Sequence, residues 1–203
     1  AQVQAGALDD DTHSCLCAVA RADKTLTIYE IDEFVTQIRL YKTEKRVSCL
    51  QFAQFDVLNI VVAGNVAGDV TAYYSLNDGE DAMDKRDEKV HDDCDKKHRR
   101  LLLGHTTSML TSLKISGETV LTADRDEKVR VSSFPDTHIV EGYLLGHTAF
   151  VSDICVDKSR CLSVGGDATL RLWNLRSFQE LATVSTQQPL PTKVAVSGDT
   201  VVT

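Results

Sequence analysis

Two stretches of the chain, LLGHTTSMLTSLKISGETVLTADRDEKVRV (residues 102–131) and LLGHTAFVSDICVDKSRCLSVGGDATLRLW (144–173), are copies of one pattern. Both open with LLGHT, and their histidines, His105 and His147, stand 42 residues apart. Each Gly-His is followed by an alternating run, a short second run ending in Thr122 or Ser163, an acidic turn and a third run. Alternation with a period of two is the signature of a half-buried strand. Each copy therefore encodes three or four short strands, at a spacing of about 40–45 residues that marks a blade-like repeat. Such a unit cannot bury its apolar faces alone, so copies must stack. Weaker copies lie upstream. SCLCAVARADKTLTIYEI (14–31) matches the second half of a unit, and VSCLQFAQFDVLNIVVAGNVAGDVTAYYSL (47–76) matches nearly a whole one. VSGDTVVT (196–203) echoes ISGETVLT (115–122).

The reading is all-β: a WD-repeat β-propeller with about four to five blades present. A partial blade covers 1–32, blades lie near 47–76, 101–135 and 143–177, and a second partial blade covers 192–203. The 203 residues hold just under five units. Ends that fall inside blades would leave open strand edges, which natural sheets avoid. The chain is thus expected to be a segment of a longer, seven-bladed propeller, with a self-closing five-blade ring as the alternative. In the clearest blade His147, Ser163, Asp167 and Trp173 are placed to form the hydrogen-bonded tetrad of a WD blade, each needing a partner once buried. The preceding blade offers His105, Thr122 and Asp126, with Asp126 expected to point inward and Ser132 standing where the tryptophan would be. Tyr29 and Tyr73 fall at the tryptophan position of the first two units.

Residues 77–100, NDGEDAMDKRDEKVHDDCDKKHRR, interrupt the repeat with mixed charges. They cannot bury apolar area and read as a long solvated loop between blades. Its closing KKHRR could also touch RNA phosphate or act as a nuclear-import signal. The net charge of -8 argues against a general nucleic-acid binder. No apolar run is long enough to span a bilayer as a helix, and the first residues lack the pattern of a signal peptide. No CxxC pair occurs, so the six cysteines read as small buried hydrophobes in a reducing compartment. No catalytic constellation, cofactor site or metal site is expected. VVAGNVAGDV (61–70) lacks the spacing of a dinucleotide fingerprint and the lysine of a P-loop. Like GGDATL (165–170), it reads as a turn, the latter with glycines available for positive φ.

The order GHTTSMLTSLKIS, LTADRDEKVRVSSFP, YLLGHTAFVSDI and GGDATLRLWNLRS resembles the non-catalytic WD-repeat subunit of the tRNA (guanine-N7)-methyltransferase. GNVAGDVTAYYS (64–75) is similar to the family's segment one blade earlier. The specific element is TADRDEKVR, where most WD repeats carry a short SxDGT turn. The resemblance implies a propeller that is not an enzyme. It would bind and stabilise a separate catalytic subunit, which carries the S-adenosylmethionine site and methylates N7 of a guanine in the tRNA variable loop. It also implies help in holding tRNA through the complex, no membrane association, and a nuclear location with a cytoplasmic one left open. Carried over by position, Arg125, Glu127 and Lys128 are the expected partner contacts, with Asp124 and Arg130 as further candidates. Arg130 should brace the turn by pairing with one of its acids, or else reach the partner. Two other readings are a generic WD scaffold, such as a substrate receptor or chromatin adaptor, and an enzyme built on a propeller. Fold alone does not separate these readings.

Overall fold

A computed structural model describes residues 2–7, 15–55, 58–74, 98–104, 108–186, 190–197 and 200–202. Among them there is no helix. Strands β1 (Gln2–Ala7), β2 (Cys15–Ala20), β3 (Thr25–Ile31) and β4 (Val35–Lys42) form one four-stranded antiparallel sheet. A second sheet follows with β5 (Val47–Phe55), β6 (Leu58–Asn65), β7 (Asp69–Tyr74) and β8 (Arg99–Gly104). The third holds β9 (Leu110–Ser116), β10 (Thr119–Asp124), β11 (Lys128–Ser133) and β12 (Val140–Leu145). The fourth holds β13 (Val151–Asp157), β14 (Arg160–Gly165), β15 (Thr169–Asn174) and β16 (Glu180–Ser185). A two-stranded sheet, β17 (Ala195–Ser197) with β18 (Thr200–Val202), comes last.

Within each four-stranded sheet the strands pair in chain order, as a meander. The first strands touch in series: β1 with β5, β5 with β9, β9 with β13, and β13 with β17. They form the inner edge of a fan of blades, and the fan is not closed into a ring. β2 shows why such segments become strands. In CLCAVA, Leu16, Ala18 and Ala20 are buried while the residues between them are half-exposed, so one face is committed to the core. The core lies as slabs between successive sheets. One slab joins Leu26 and Ile28 to Leu50 and Val61; the next joins Ile60 and Val70 to Leu110 and Leu113. A third joins Leu121 and Val129 to Ile154 and Trp173, and a fourth joins Leu162 and Val164 to Val194.

The sequence copies and the sheets are offset by one strand. Leu102-Leu103-Gly104 and Leu144-Leu145 belong to β8 and β12, the outer strands of the second and third sheets, whereas the strands that follow in each copy belong to the next sheet. Arg99 and Arg100, the last residues of the charged stretch, lie in β8, and Arg99 reaches Glu44 at 3.4 Å. The rest of that stretch, through residue 97, lies outside the described residues.

Candidate functional site

Four hairpin turns, between the second and third strands of each sheet, come to the same end of the fan. Each ends in a residue of positive φ: Lys24 (64°), Gly68 (95°), Glu127 (69°) and Ala168 (56°). The turn shape is therefore shared, and side chains other than glycine tolerate it here at a modest conformational cost. In three of the blades the turn is pinned from its first amide. Val66 N donates to Arg46 O at 3.0 Å, Arg125 N to Ser108 Oγ at 3.0 Å, and Gly166 N to Phe150 O at 2.8 Å.

Blade four brings His147, Ser163, Asp167 and Trp173 together. His147 Nδ1 lies 3.0 Å from both Asp167 oxygens, and its Nε2 lies 2.7 Å from Ser163 Oγ. Trp173 Nε1 donates to the same Oγ at 2.8 Å. The His147 and Asp167 side chains are only 1% and 5% exposed. Burial pulls the His147 pKa below its ordinary value and outweighs the opposing pull of Asp167. Burial pushes the Asp167 carboxyl up, but bonds from Thr148 N, Thr169 and His147 more than offset it and hold the group below the usual range. A neutral ring with its proton on Nδ1 satisfies every contact: it donates to Asp167, and Ser163 donates to Nε2 while accepting from Trp173. The glycines of this turn serve space, not φ. A Cβ on Gly165 would lie 2.7 Å from His147 Nδ1, and one on Gly166 would strike the Phe150 ring at 2.4 Å. The expectation of positive φ at these glycines is corrected: Ala168 takes it.

Blade three is built differently. Asp126 does not point inward. Its side chain is 53% exposed, with an oxygen 3.9 Å from Lys128 Nζ. The inward acid is Asp124, fully buried at the end of β10, whose Oδ1 accepts from Asp126 N at 2.9 Å. Blade two does the same with Asn65, whose Oδ1 accepts from Ala67 N at 2.8 Å. Both are side-chain caps on a turn amide two residues on. Asp124 occupies the place that Gly165 leaves open for a histidine ring. Burial also removes Asp124 from the candidate partner contacts. Thr122 is buried beside it, and His105 lies outside the described residues. At the tryptophan position, Tyr29, Tyr73, Ser132 and Trp173 share one register, opposite Cys17, Val61, Val120 and Cys161.

Arg130 does not brace the turn through an acid. Its Nε donates to Ser132 Oγ at 2.9 Å and its NH2 donates to Thr137 O at 3.0 Å. A polar partner was needed where Ser132 replaces the tryptophan, and the guanidinium supplies it. Arg125, Asp126 and Glu127 remain exposed, with Lys128 half-buried beside them. The Lys128–Asp126 pair is solvated and contributes about 0–1 kcal/mol.

The expectation of buried cysteines holds for two of the five described ones; Cys15, Cys17 and Cys155 are partly exposed. Cys49 and Cys161 are buried thiols, and burial pushes Cys49 up to about 12 and Cys161 upward as well. The described residues hold no group of three or more His, Cys, Asp or Glu side chains placed to bind a metal.

Two residues that sequence reasoning missed are Ser112 on β9 and Asp153 on β13, both buried and bonded across the junction of blades three and four. A lone polar residue at an inward strand position was their only signal.

A fan of four-stranded antiparallel blades, one fastened by a His-Ser-Asp-Trp network, defines a WD-repeat β-propeller segment. The solved structure of the computationally designed Ika8 protein shares this fold with a TM-score of 0.67 and 19% identity, covering 98% of this chain and 54% of that one. The designed Ika4 protein matches with a TM-score of 0.59 and 20% identity, over 78% and 84%. Both likenesses concern the fold alone. Sequence carries the assignment further. The family model for the tRNA methyltransferase TRM82 WD40 domain matches residues 74–202. The non-catalytic tRNA (guanine-N(7)-)-methyltransferase subunit wuho of Aedes aegypti is 36% identical over 201 residues, covering 92% of this chain and 45% of that protein. The subunit wdr4 of Dictyostelium discoideum is 31% identical over 175 residues, covering 80% and 36%, and WDR4 of Mus musculus is 52% identical over 87 residues, covering 40% and 21%. The chain belongs to the TRM82 WD40 family. It spans less than half the length of these relatives.

Proposed function

We propose that the chain is part of a non-catalytic subunit that docks onto the catalytic subunit of a tRNA (guanine-N7)-methyltransferase, stabilises it and supports N7-methylguanosine formation in tRNA. The relatives named above carry that subunit's name. The observation that carries the reading is the turn of blade three. Its fold needs are served by buried Asp124, the Ser108 bond and the backbone of Glu127. The exposed side chains of Arg125, Asp126 and Glu127, with Lys128 beside them, are not needed by the hairpin. Charges of both signs on one rigid turn favour selection of a single complementary partner and speed its encounter. S-adenosylmethionine and the chemistry belong, on this reading, to the partner.

Co-expression of the full-length protein with the methyltransferase catalytic subunit should yield a complex that co-purifies. Lys128→Glu should weaken it while leaving thermal unfolding of the propeller unchanged. Failure to form a complex, together with normal N7-methylguanosine in tRNA from cells lacking the protein, would sink the reading.

A further inference from the structure

The four blades allow an internal comparison at the outer strand beside each turn. The first residue of the third strand pairs across to Lys42 in blade one, Gly104 in blade two, Leu145 in blade three and Ser185 in blade four. Only the blade with the charged turn places a large apolar residue there. Leu145 sits opposite Lys128 and is 67% exposed. Two residues earlier on the same face of β12, Tyr143 sits opposite Arg130 and is 43% exposed. Residues directly opposite in an antiparallel pair project from the same side of the sheet. The apolar pair and the charged turn therefore form one continuous surface. Leu144, between them, is fully inside the slab shared with blade four, so the exposure of its neighbours is set by the pleat.

We propose that Leu145 and Tyr143 are the apolar anchor of the docking surface, and that the methyltransferase catalytic subunit covers them with an apolar recess. That recess would be rimmed by acids facing Arg125 and Lys128 and by a base facing Asp126 and Glu127. The proposal rests on the docking reading above and deepens it. Exposed charges contribute little affinity because they exchange water for a screened partner. Binding energy concentrates instead on a few large side chains that become fully desolvated, with polar contacts around them excluding water. A tyrosine and a leucine flanked by four charged residues have that composition. The charges then steer and select, and the apolar pair holds.

The test measures association and dissociation rates between the full-length chain and the purified catalytic subunit. It compares the unaltered chain, Leu145→Ser, Tyr143→Ala, Lys128→Glu and a control, Phe34→Ser, which removes an exposed apolar side chain from the turn between β3 and β4. Leu145→Ser and Tyr143→Ala should each weaken binding about tenfold or more, as truncation of an interface anchor does. The loss should lie in the dissociation rate and persist at high salt. Lys128→Glu should act mainly on the association rate and fade as salt rises. Phe34→Ser should bind as the unaltered chain does. If Leu145→Ser and Tyr143→Ala bind within twofold of the unaltered chain while Lys128→Glu is impaired, the anchor is refuted and the docking reading stands. An equal loss from Phe34→Ser also refutes the anchor. If the unaltered chain does not bind, the docking reading itself is overturned.

Discussion

Ser112 Oγ donates to Asp153 Oδ1 at 2.6 Å, from the inner strand of blade three to the inner strand of blade four. The other carboxylate oxygen accepts from Val194 N at 3.1 Å, in the segment that leads to β17, and Lys193 Nζ lies 3.6 Å from Oδ1. One buried carboxylate thus ties three successive sheets at the inner edge of the fan. Gln51 makes a similar tie between blades two and three, its Nε2 donating to Ile115 O at 3.1 Å and its Oε1 accepting from Ile115 N at 2.9 Å, so such directional contacts help to fix how the apolar slabs are aligned.

Asp153→Ala should destabilise the chain by about 2–3 kcal/mol, because it leaves the Ser112 hydroxyl and the Val194 amide buried without an acceptor. Ser112→Ala should cost about 1–2 kcal/mol. The two residues touch, so the losses should not add, and a double-mutant cycle in urea should show coupling of at least about 0.5 kcal/mol. Simple additivity would mean that the bond contributes nothing to the junction.

Acid should loosen blade four. Burial lowers the His147 pKa, so between its folded value and about 6.5 the unfolded chain binds more protons than the folded one. The stabilisation is complete above about 6.5 and is lost as pH falls through that window. Asp167 also has its pKa held low in the fold. Its contribution is present above its unfolded value of about 3.9 and is lost only as pH falls through the folded one. Both act in the same direction at different pH. Denaturant midpoints measured from pH 8 down to pH 5, about the histidine range, should fall more steeply for the unaltered chain than for His147→Asn. Parallel slopes would contradict a buried neutral ring.

Much of this fold was legible in the sequence because its evidence is periodic. The 42-residue copy, the alternating runs and the polar residues at fixed offsets all point to stacked blades, and His147, Ser163, Asp167 and Trp173 come together at hydrogen-bonding distance. The copy could not show that Leu102 and Leu144 close the blade before, since an outer strand and the next inner strand are joined by a loop that reads as continuous with both. Nor did letter-by-letter alignment place Asp126. It stands where Asp167 stands, but the residue two positions earlier is Asp124 in one blade and Gly165 in the other. That difference decides which acid turns inward. The bond between Ser112 and Asp153, 41 residues apart, joins two repeats and leaves no trace inside either one.

The exchange of roles between Asp124 and Asp126 gives opposite expectations for two neighbouring substitutions. Asp124→Ala should cost about 1–2 kcal/mol, as the loss of a capping carboxylate does. Asp126→Ala removes a half-exposed side chain whose one close cation is Lys128, and should stay within about 0.5 kcal/mol of the unaltered chain. Urea unfolding of the two variants decides the matter. A larger loss at Asp126 would restore it to the inside of the blade.

Gly165→Ala tests whether blade four keeps its glycine for the histidine ring. The added methyl would lie 2.7 Å from His147 Nδ1 and 3.0 Å from the Phe150 carbonyl. The ring cannot retreat without breaking its bonds to Asp167 and Ser163, and the carbonyl cannot move without losing the amide of Gly166. Overpacking of this kind costs about 1–3 kcal/mol. Gly104→Ala, whose methyl would meet, among the described residues, only Asp69 Oδ1 at 3.4 Å, should be tolerated within about 0.5 kcal/mol as an ordinary surface change. In a His147→Ala background the cost of Gly165→Ala should shrink, because the nearest obstacle is gone and only the Phe150 carbonyl and Asp167 Oδ1, at 3.0 and 3.1 Å, remain. An undiminished cost in that background, read by thermal unfolding of the four chains in the cycle, would show that the glycine serves the backbone of the loop and not the ring of His147.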